Sequence, residues 1–219
     1  FVLQANQFVS MKKYPLHEVL QWPENREVAL SQLQLPSRKS FASSELHDFG
    51  VFSNEMQYNL NTLQKIEGLR DIPILILGST GAGKEMMAKY LHYEVDKDNG
   101  PYLPINCAAI NKELFESQLF GYVKGAFTGA SKEGSEGYLE KAAGGTLFLD
   151  EITEISTELQ VKLLRVLQEK EFIKEGHTHK KKVKCRIVCA SNRNIKELVD
   201  AGNFREDLYY RLTIVRIDI

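Results

Sequence analysis

The stretch that most constrains this chain is Gly78-Ser79-Thr80-Gly81-Ala82-Gly83-Lys84-Glu85. It follows the apolar run Ile72-Pro73-Ile74-Leu75-Ile76-Leu77 and leads into a helix-like segment from Glu85 to Tyr93. Strand, glycine-rich turn and helix, in that order, are the context of a phosphate-binding loop. The glycines let backbone N–H groups converge with no Cβ in the way, and the start of the helix adds positive potential. Lys84 would reach the outer phosphates as a compact point charge. The competing reading is an ordinary glycine-rich turn, and the intact G-x(4)-G-K spacing with its flanks argues against it. Glu85 stands where Ser or Thr would usually offer a hydroxyl to Mg²⁺.

At 219 residues the chain has length for one sizeable domain plus an extension. A formal net charge of −1 argues against a surface coated for nucleic acid and leaves room only for a local basic patch. No apolar run approaches the roughly 20 residues that span a bilayer. The N-terminus, Phe1 to Gln7, has neither a basic segment nor a long apolar one, so it is not read as a signal peptide. It also lacks an initiator Met, and the chain is read as a fragment of something longer. The three cysteines, Cys107, Cys185 and Cys189, show no metal-site spacing and are expected to be reduced thiols of a cytoplasmic protein.

Residues 1–44 carry weak helical patterns and end in a Ser-rich linker, so they read as an N-terminal extension or the tail of an upstream regulatory region. From there the pattern tightens. Ser53 is a candidate helix cap, with Leu60, Leu63 and Ile66 on one face of the helix that follows. Tyr102 to Cys107 reads as a strand, placed near a sheet edge by Pro104. Short helices are expected at Glu113 to Leu119 and Tyr138 to Ala143, and a buried strand at Thr146 to Glu151. Ser156 or Thr157 caps a helix with Leu159, Leu163, Val166 and Leu167 on one face. His177 to Lys182 reads as a basic loop before a strand from Val183 to Ala190, and a last strand spans Leu212 to Ile219. Strands alternating with helices predict a parallel sheet between helices, with ligand at the strand C-terminal ends.

Asp150-Glu151 ends an apolar strand, where such a fold opens to its ligand. Asp150 would hold Mg²⁺ directly or through water, and Glu151 would orient and polarise the attacking water. Taken alone the pair could be two solvated acids at a strand end. Asn106 and Asn192 also sit at strand ends: Asn192 would face the γ-phosphate or the water, and Asn106 would face Glu151, though such Asn residues also form turns. Arg205 and Arg211 flank a short helix. They are either ion pairs with Glu206 or Asp207, or fingers that complete a neighbour's site.

With these pieces assembled, residues from about 45 to 219 resemble the central AAA+ ATPase domain of bacterial sigma-54-dependent transcription activators, the enhancer-binding proteins. Gly125-Ala126-Phe127-Thr128-Gly129-Ala130 matches that family's GAFTGA signature letter for letter. Leu119 to Lys124, Gly144 to Glu151 and Phe204 to Leu212 are similar to it as well, and the family's phosphate loop likewise ends in Lys-Glu. The resemblance implies a P-loop NTPase of AAA+ type, with a five-stranded parallel sheet between helices. It implies ATP and Mg²⁺ as cofactors and hydrolysis in a ring, usually a hexamer. That ring would remodel the closed promoter complex of the sigma-54 RNA polymerase holoenzyme. The GAFTGA loop would touch sigma-54 with Phe127 and Thr128 at its tip; Asn106 would be a switch restraining Glu151, and Arg205 and Arg211 would be the fingers. The basic loop falls where the family has a second moving loop, or is a solvated turn. The family's helical lid and DNA-binding helix-turn-helix would follow Ile219 and are absent from this sequence. Ser79 stands where the family commonly has Glu, with little effect expected. The alternatives are an AAA+ remodeller of another partner and a non-hydrolysing, nucleotide-gated interaction module.

Overall fold

The computed structural model describes residues 54–97, 100–126, 131 and 133–219. Residues 1–44 and the expected cap Ser53 lie outside the described residues. After helix α1 (Asn54–Gln64), strand β1 (Ile74–Leu77) runs into helix α2 (Lys84–Tyr90). Strand β2 is Tyr102–Asn106, helix α3 Lys112–Phe120, and the short strands β3 and β4 are Gly121–Tyr122 and Ser135–Glu136. Helix α4 (Tyr138–Lys141) precedes β5 (Thr146–Asp150), and helix α5 is Thr157–Glu169. Then come β6 (Glu171–Ile173), β7 (Lys180–Lys182), β8 (Arg186–Ser191), α6 (Ile195–Asp200), α7 (Glu206–Leu212) and β9 (Val215–Asp218).

The main sheet has five parallel strands in the order β2-β5-β8-β1-β9. Every residue of β8 is buried, as are the first three of β1 and the first four of β5. Such continuous burial is what a parallel strand covered on both faces requires. Strand β2 is only partly buried and lies at the sheet edge. Pro104 has no N–H to donate and is tolerated there, as the sequence predicts. Ser156 caps α5 by accepting the Leu159 N–H at 3.3 Å, and Leu159, Leu163, Val166 and Leu167 are buried along one face.

The structure departs from the sequence reading in three places. The helix after the glycine loop ends its α-helical part at Tyr90 and continues as a π-turn over Leu91–Val95. Within that turn His92 is fully buried, with its Nδ1 2.9 Å from Thr146 Oγ1. The basic segment is not simply a loop, because Lys180–Lys182 pairs antiparallel with Glu171–Ile173. Three lysines show no apolar alternation, and the pairing is carried instead by buried Phe172 and by Lys180 against Glu169 and Glu171. Strand β8 begins at Arg186 rather than Val183, and β9 at Val215, since Leu212 still belongs to α7.

Arg186 is the largest fully buried side chain among the described residues. Its Nε and Nη2 reach the Asp96 carboxylate at 2.5 and 2.8 Å, and Nη1 donates to the Leu69 carbonyl at 3.2 Å. Removing one member leaves a buried charge uncompensated. Asp96→Ala is therefore expected to lower unfolding stability by about 3 kcal/mol, read as a reduced urea midpoint at unchanged slope.

Candidate functional site

The site begins where β1 stops. The Gly78 N–H donates to the Ser191 carbonyl at 3.2 Å, which ties the loop to the end of β8. A Cβ on Gly78 would stand 2.6 Å from the Ile219 carbonyl oxygen, so the loop passes β9 too closely for any side chain. Gly81 and Gly83 have φ of 81° and 97°, which L-residues rarely adopt. The loop therefore needs glycine at these positions for backbone reasons. Lys84 is 6% exposed, and its Nζ donates to the Gly78 and Ser79 carbonyls at 3.0 and 3.1 Å. Among the described residues it has no ion-pair partner. A buried ammonium held only by carbonyls is a site that attracts an anion, and a phosphate fits it. Ser79 and Thr80 are exposed, Ala82 is half-buried, and Glu85 is exposed and paired with Lys89 at 3.2 Å.

Strand β5 ends at Asp150, one residue earlier than the sequence suggests, because Glu151 turns the chain. Its backbone is left-handed, with φ 52° and ψ 48°. For a non-glycine residue this is an uncommon, strained conformation. It is held by the Glu151 N–H donating to Asp150 Oδ1 at 2.9 Å and by the Glu154 N–H donating to the Glu151 carbonyl at 3.0 Å. The Glu151 carboxylate makes no hydrogen bond or ion pair among the described residues. No cluster of three or more His, Cys, Asp or Glu occurs among them either. Mg²⁺ suits such a donor set, since it takes one or two carboxylates and completes its shell with phosphate oxygens and water.

Asn106 lies beside Asp150 in register, but its Oδ1 accepts the Ala108 N–H at 2.9 Å. The expected contact with Glu151 is not formed, because the short amide closes a turn on its own backbone. Asn192 does meet the phosphate loop, its Nδ2 donating to Thr80 Oγ1 at 3.0 Å. Arg205 forms a two-point pair with Asp207 at 3.0 and 2.6 Å and is exposed. Arg211 instead donates to the Leu167 carbonyl at 2.9 and 3.3 Å, covering an acceptor in the last turn of α5. Both arginines thus have partners within the chain. The three thiols are free. Burial pushes Cys189 up to about 12 and Cys185 up to about 11, and it raises Cys107 as well, so all three stay protonated at neutral pH.

Gly125 and Ala126 emerge from a hairpin stem in which Gly121 and Tyr122 pair with Glu136 and Ser135. Phe127, Thr128, Gly129 and Ala130 lie outside the described residues. Glu175, beyond β6, extends the stem: Val123 N–H donates to its carbonyl at 3.1 Å, and its own N–H donates to Gly121 at 2.9 Å. Gly176 packs so closely on Ala126 that a Cβ would come within 2.9 Å of the alanine methyl. Glu140 gathers Lys174, at 2.5 Å, and Lys181. The sequence reading missed these supports, as it missed Thr80 as the partner of Asn192. Their members lie far apart in the chain and form no local motif.

Over residues 51–218 the sequence matches the family described as the Sigma-54 interaction domain. It is 52% identical over 146 residues to a Nif-specific regulatory protein of Azotobacter vinelandii, covering 67% of this chain and 28% of that protein. Over 188 residues it is 42% identical to the sigma54-dependent transcriptional activator SfnR of Pseudomonas putida, covering 85% of this chain and 51% of that one. A Geobacillus stearothermophilus protein named limonene hydroxylase is 51% identical over 150 residues, covering 68% of this chain and 28% of that protein. The chain thus spans between 28% and 51% of the length of these relatives. Among solved structures, NtrX from Brucella abortus in complex with ATP superimposes with a TM-score of 0.66 at 30% identity, covering 93% of this chain and 44% of that one. The P-loop NTPase domain of an Escherichia coli sigma-54 activator gives 0.50 at 19% identity, covering 74% of this chain and 91% of that one. The fold is that of AAA+ P-loop NTPases, as the sequence resemblance implies. No described helix is long and apolar enough to cross a membrane.

Burial pushes the Glu140 carboxyl up, but the two ammonium groups outweigh it and hold the group below its usual 4.5. A lowered folded-state value gives stability that is present above pH 4.5 and lost as pH falls below it. Urea unfolding of the wild type is expected to weaken more steeply below pH 4.5 than that of Glu140→Gln, which has no carboxyl to protonate.

Proposed function

The chain belongs to the Sigma-54 interaction domain family, and on that premise we propose that it is an ATP-hydrolysing motor domain that remodels closed promoter complexes of the sigma-54 RNA polymerase. The observation that carries this reading is the buried, uncompensated Lys84 ammonium in its glycine loop. Glu151, whose carboxylate has no partner among the described residues, follows β5 at the same C-terminal end of the sheet. ATP as the nucleotide is supported by the ATP complex of the NtrX neighbour. The backbone from Gly78 to Gly83 wraps the phosphates, Lys84 balances their charge, and Glu85 lies in the first turn of the helix behind them. Asp150 holds Mg²⁺, which supplies positive charge against the phosphates when bound. Glu151 orients and polarises the attacking water, and Asn192 contacts the γ-phosphate or that water. Asn106 acts as the switch, turning so that its Nδ2 donates to the Glu151 carboxylate.

The chain works in the cytoplasm as a ring, hexameric in this reading, with Arg205 and Arg211 of one copy completing a neighbour's site. Arg205 needs only to leave a solvent-screened pair with Asp207, whereas Arg211 must give up the Leu167 carbonyl. The segment Gly125 to Ala130 is the sigma-54 contact, with Phe127 and Thr128 at its tip. Its GAFTGA sequence and the name of the SfnR relative support this assignment. Enhancer DNA would be bound by a helix-turn-helix elsewhere in the full-length protein.

The test is steady-state ATP hydrolysis by the full-length protein across protein concentration. Wild-type specific activity is expected to rise with concentration, as sites completed in trans require. Glu151→Ala is expected to lower kcat by about 100-fold or more while ATP binding survives, and Lys84→Ala to abolish binding. Binding without turnover in the wild type would instead establish a nucleotide-gated interaction module.

A further inference from the structure

We infer that the Glu154–Arg193 ion pair is a positioning element of this site, a clamp that fixes Glu151 relative to Asn192. The inference rests on the reading of the site as an ATPase. Two loops carry the groups assigned to hydrolysis: the one after β5, with Glu151, and the one after β8, with Asn192. The ladder between β5 and β8 runs only as far as Leu149 and Cys189. Beyond that point strand pairing no longer sets the distance between the loops. Arg193 Nη1 donates to Glu154 Oε1 at 3.0 Å and joins them.

Each partner is anchored from beneath. The fully buried Ser191 hydroxyl accepts the Arg193 N–H at 3.0 Å and donates to the Arg193 carbonyl at 3.3 Å. Glu154 ends a one-turn 3-10 helix, Ile152–Glu154, whose first two residues are buried. Both backbones are therefore fixed before the pair forms, and closing it orders only two side chains. With Arg193 about half exposed and Glu154 about a third exposed, the pair adds little stability, and what it contributes is position.

The clamp also completes a path across the site. Asn192 Nδ2 reaches Thr80 Oγ1 on the phosphate loop, Arg193 follows Asn192, and Glu154 closes on the turn whose first residue is Glu151. Glu151 acts on the attacking water and Asn192 on that water or the γ-phosphate beside it, and a shift of an ångström between them is enough to cost rate. Neither Glu154 nor Arg193 is assigned a contact with the nucleotide in this reading. Both act through the residues they hold.

The experiment compares wild type, Glu154→Ala, Arg193→Ala and the charge exchange Glu154→Arg with Arg193→Glu, each in the full-length protein. Each alanine variant is expected to lower kcat two- to five-fold with KM for ATP changed less than two-fold, and the exchange to recover at least half of the lost rate. A merely structural role would not respond to restored charge complementarity. Wild-type kcat in both alanine variants, a change confined to KM, or an exchange no faster than the single variants would each overturn the inference. A wild type that binds ATP without turning it over would overturn the ATPase reading and this inference with it, an outcome visible before any variant is made.

Discussion

The buried pair of Arg186 and Asp96 sets the geometry on which the rest depends. Arg186 is the first residue of β8, the middle strand of the five, and its guanidinium is satisfied at three points: two on Asp96 and one on the Leu69 carbonyl. A strand buried on both faces has little in its apolar pattern to resist slipping along its neighbours. A desolvated cation does resist, because a slip of one residue would carry Arg186 away from its one ion-pair partner among the described residues, Asp96. At the other end of β8 stands Asn192. Fixing the first residue of the strand therefore fixes how far the last ones project above the sheet.

The opposite edge is built in another way. Gly81 and Gly83 have left-handed backbones, Glu151 has one without being glycine, and Lys84 is a buried cation with only carbonyls for company. The Glu151 backbone and the buried Lys84 each cost stability by themselves, and neither would persist on a pliable base. They persist because β1, β5 and β8 are almost wholly buried and in parallel register beneath them. The backbone bonds from Gly78 to Ser191 and from Cys107 to Asp150 extend that register past the strands. The molecule thus separates a satisfied end, with Arg186 and Asp96, from a strained one that carries the proposed chemistry.

Much of this was legible in the sequence, for a physical reason. Apolar runs such as Ile74 to Leu77 and Leu147 to Leu149 admit few other structures. The spacing of Gly78, Gly83 and Lys84 is local, and a single missing N–H at Pro104 was enough to place β2 at the edge. The misses leave no such mark in the sequence. The hairpin of β6 and β7 is stabilised by Lys180 between two glutamates and by one buried Phe172, a pattern that hydrophobic periodicity cannot register. The Asn106 amide chose a backbone partner two residues away over Glu151, and only the local turn geometry decides that. Arg186 reads in sequence as a charge interrupting a strand, and its partner Asp96 lies 90 residues earlier.

The same contrast bears on the contact role proposed for Gly125 to Ala130. A loop rich in glycine has no internal means of holding a direction, so its aim must come from its stem. Here the stem is only two residue pairs long. By itself such a hairpin would be marginal. It gains a third strand-like partner in Glu175, close packing of Gly176 on Ala126, and the Lys174 ammonium donating to the Ser135 carbonyl. Glu140 then gathers Lys174 and Lys181, so one carboxylate on α4 grips both sides of the second hairpin. Helix α4 leads through Gly144 and Gly145 into β5, the strand that ends in Asp150. The base of the proposed contact segment is thereby joined, through packed backbone and one shared carboxylate, to the strand that carries the proposed metal ligand.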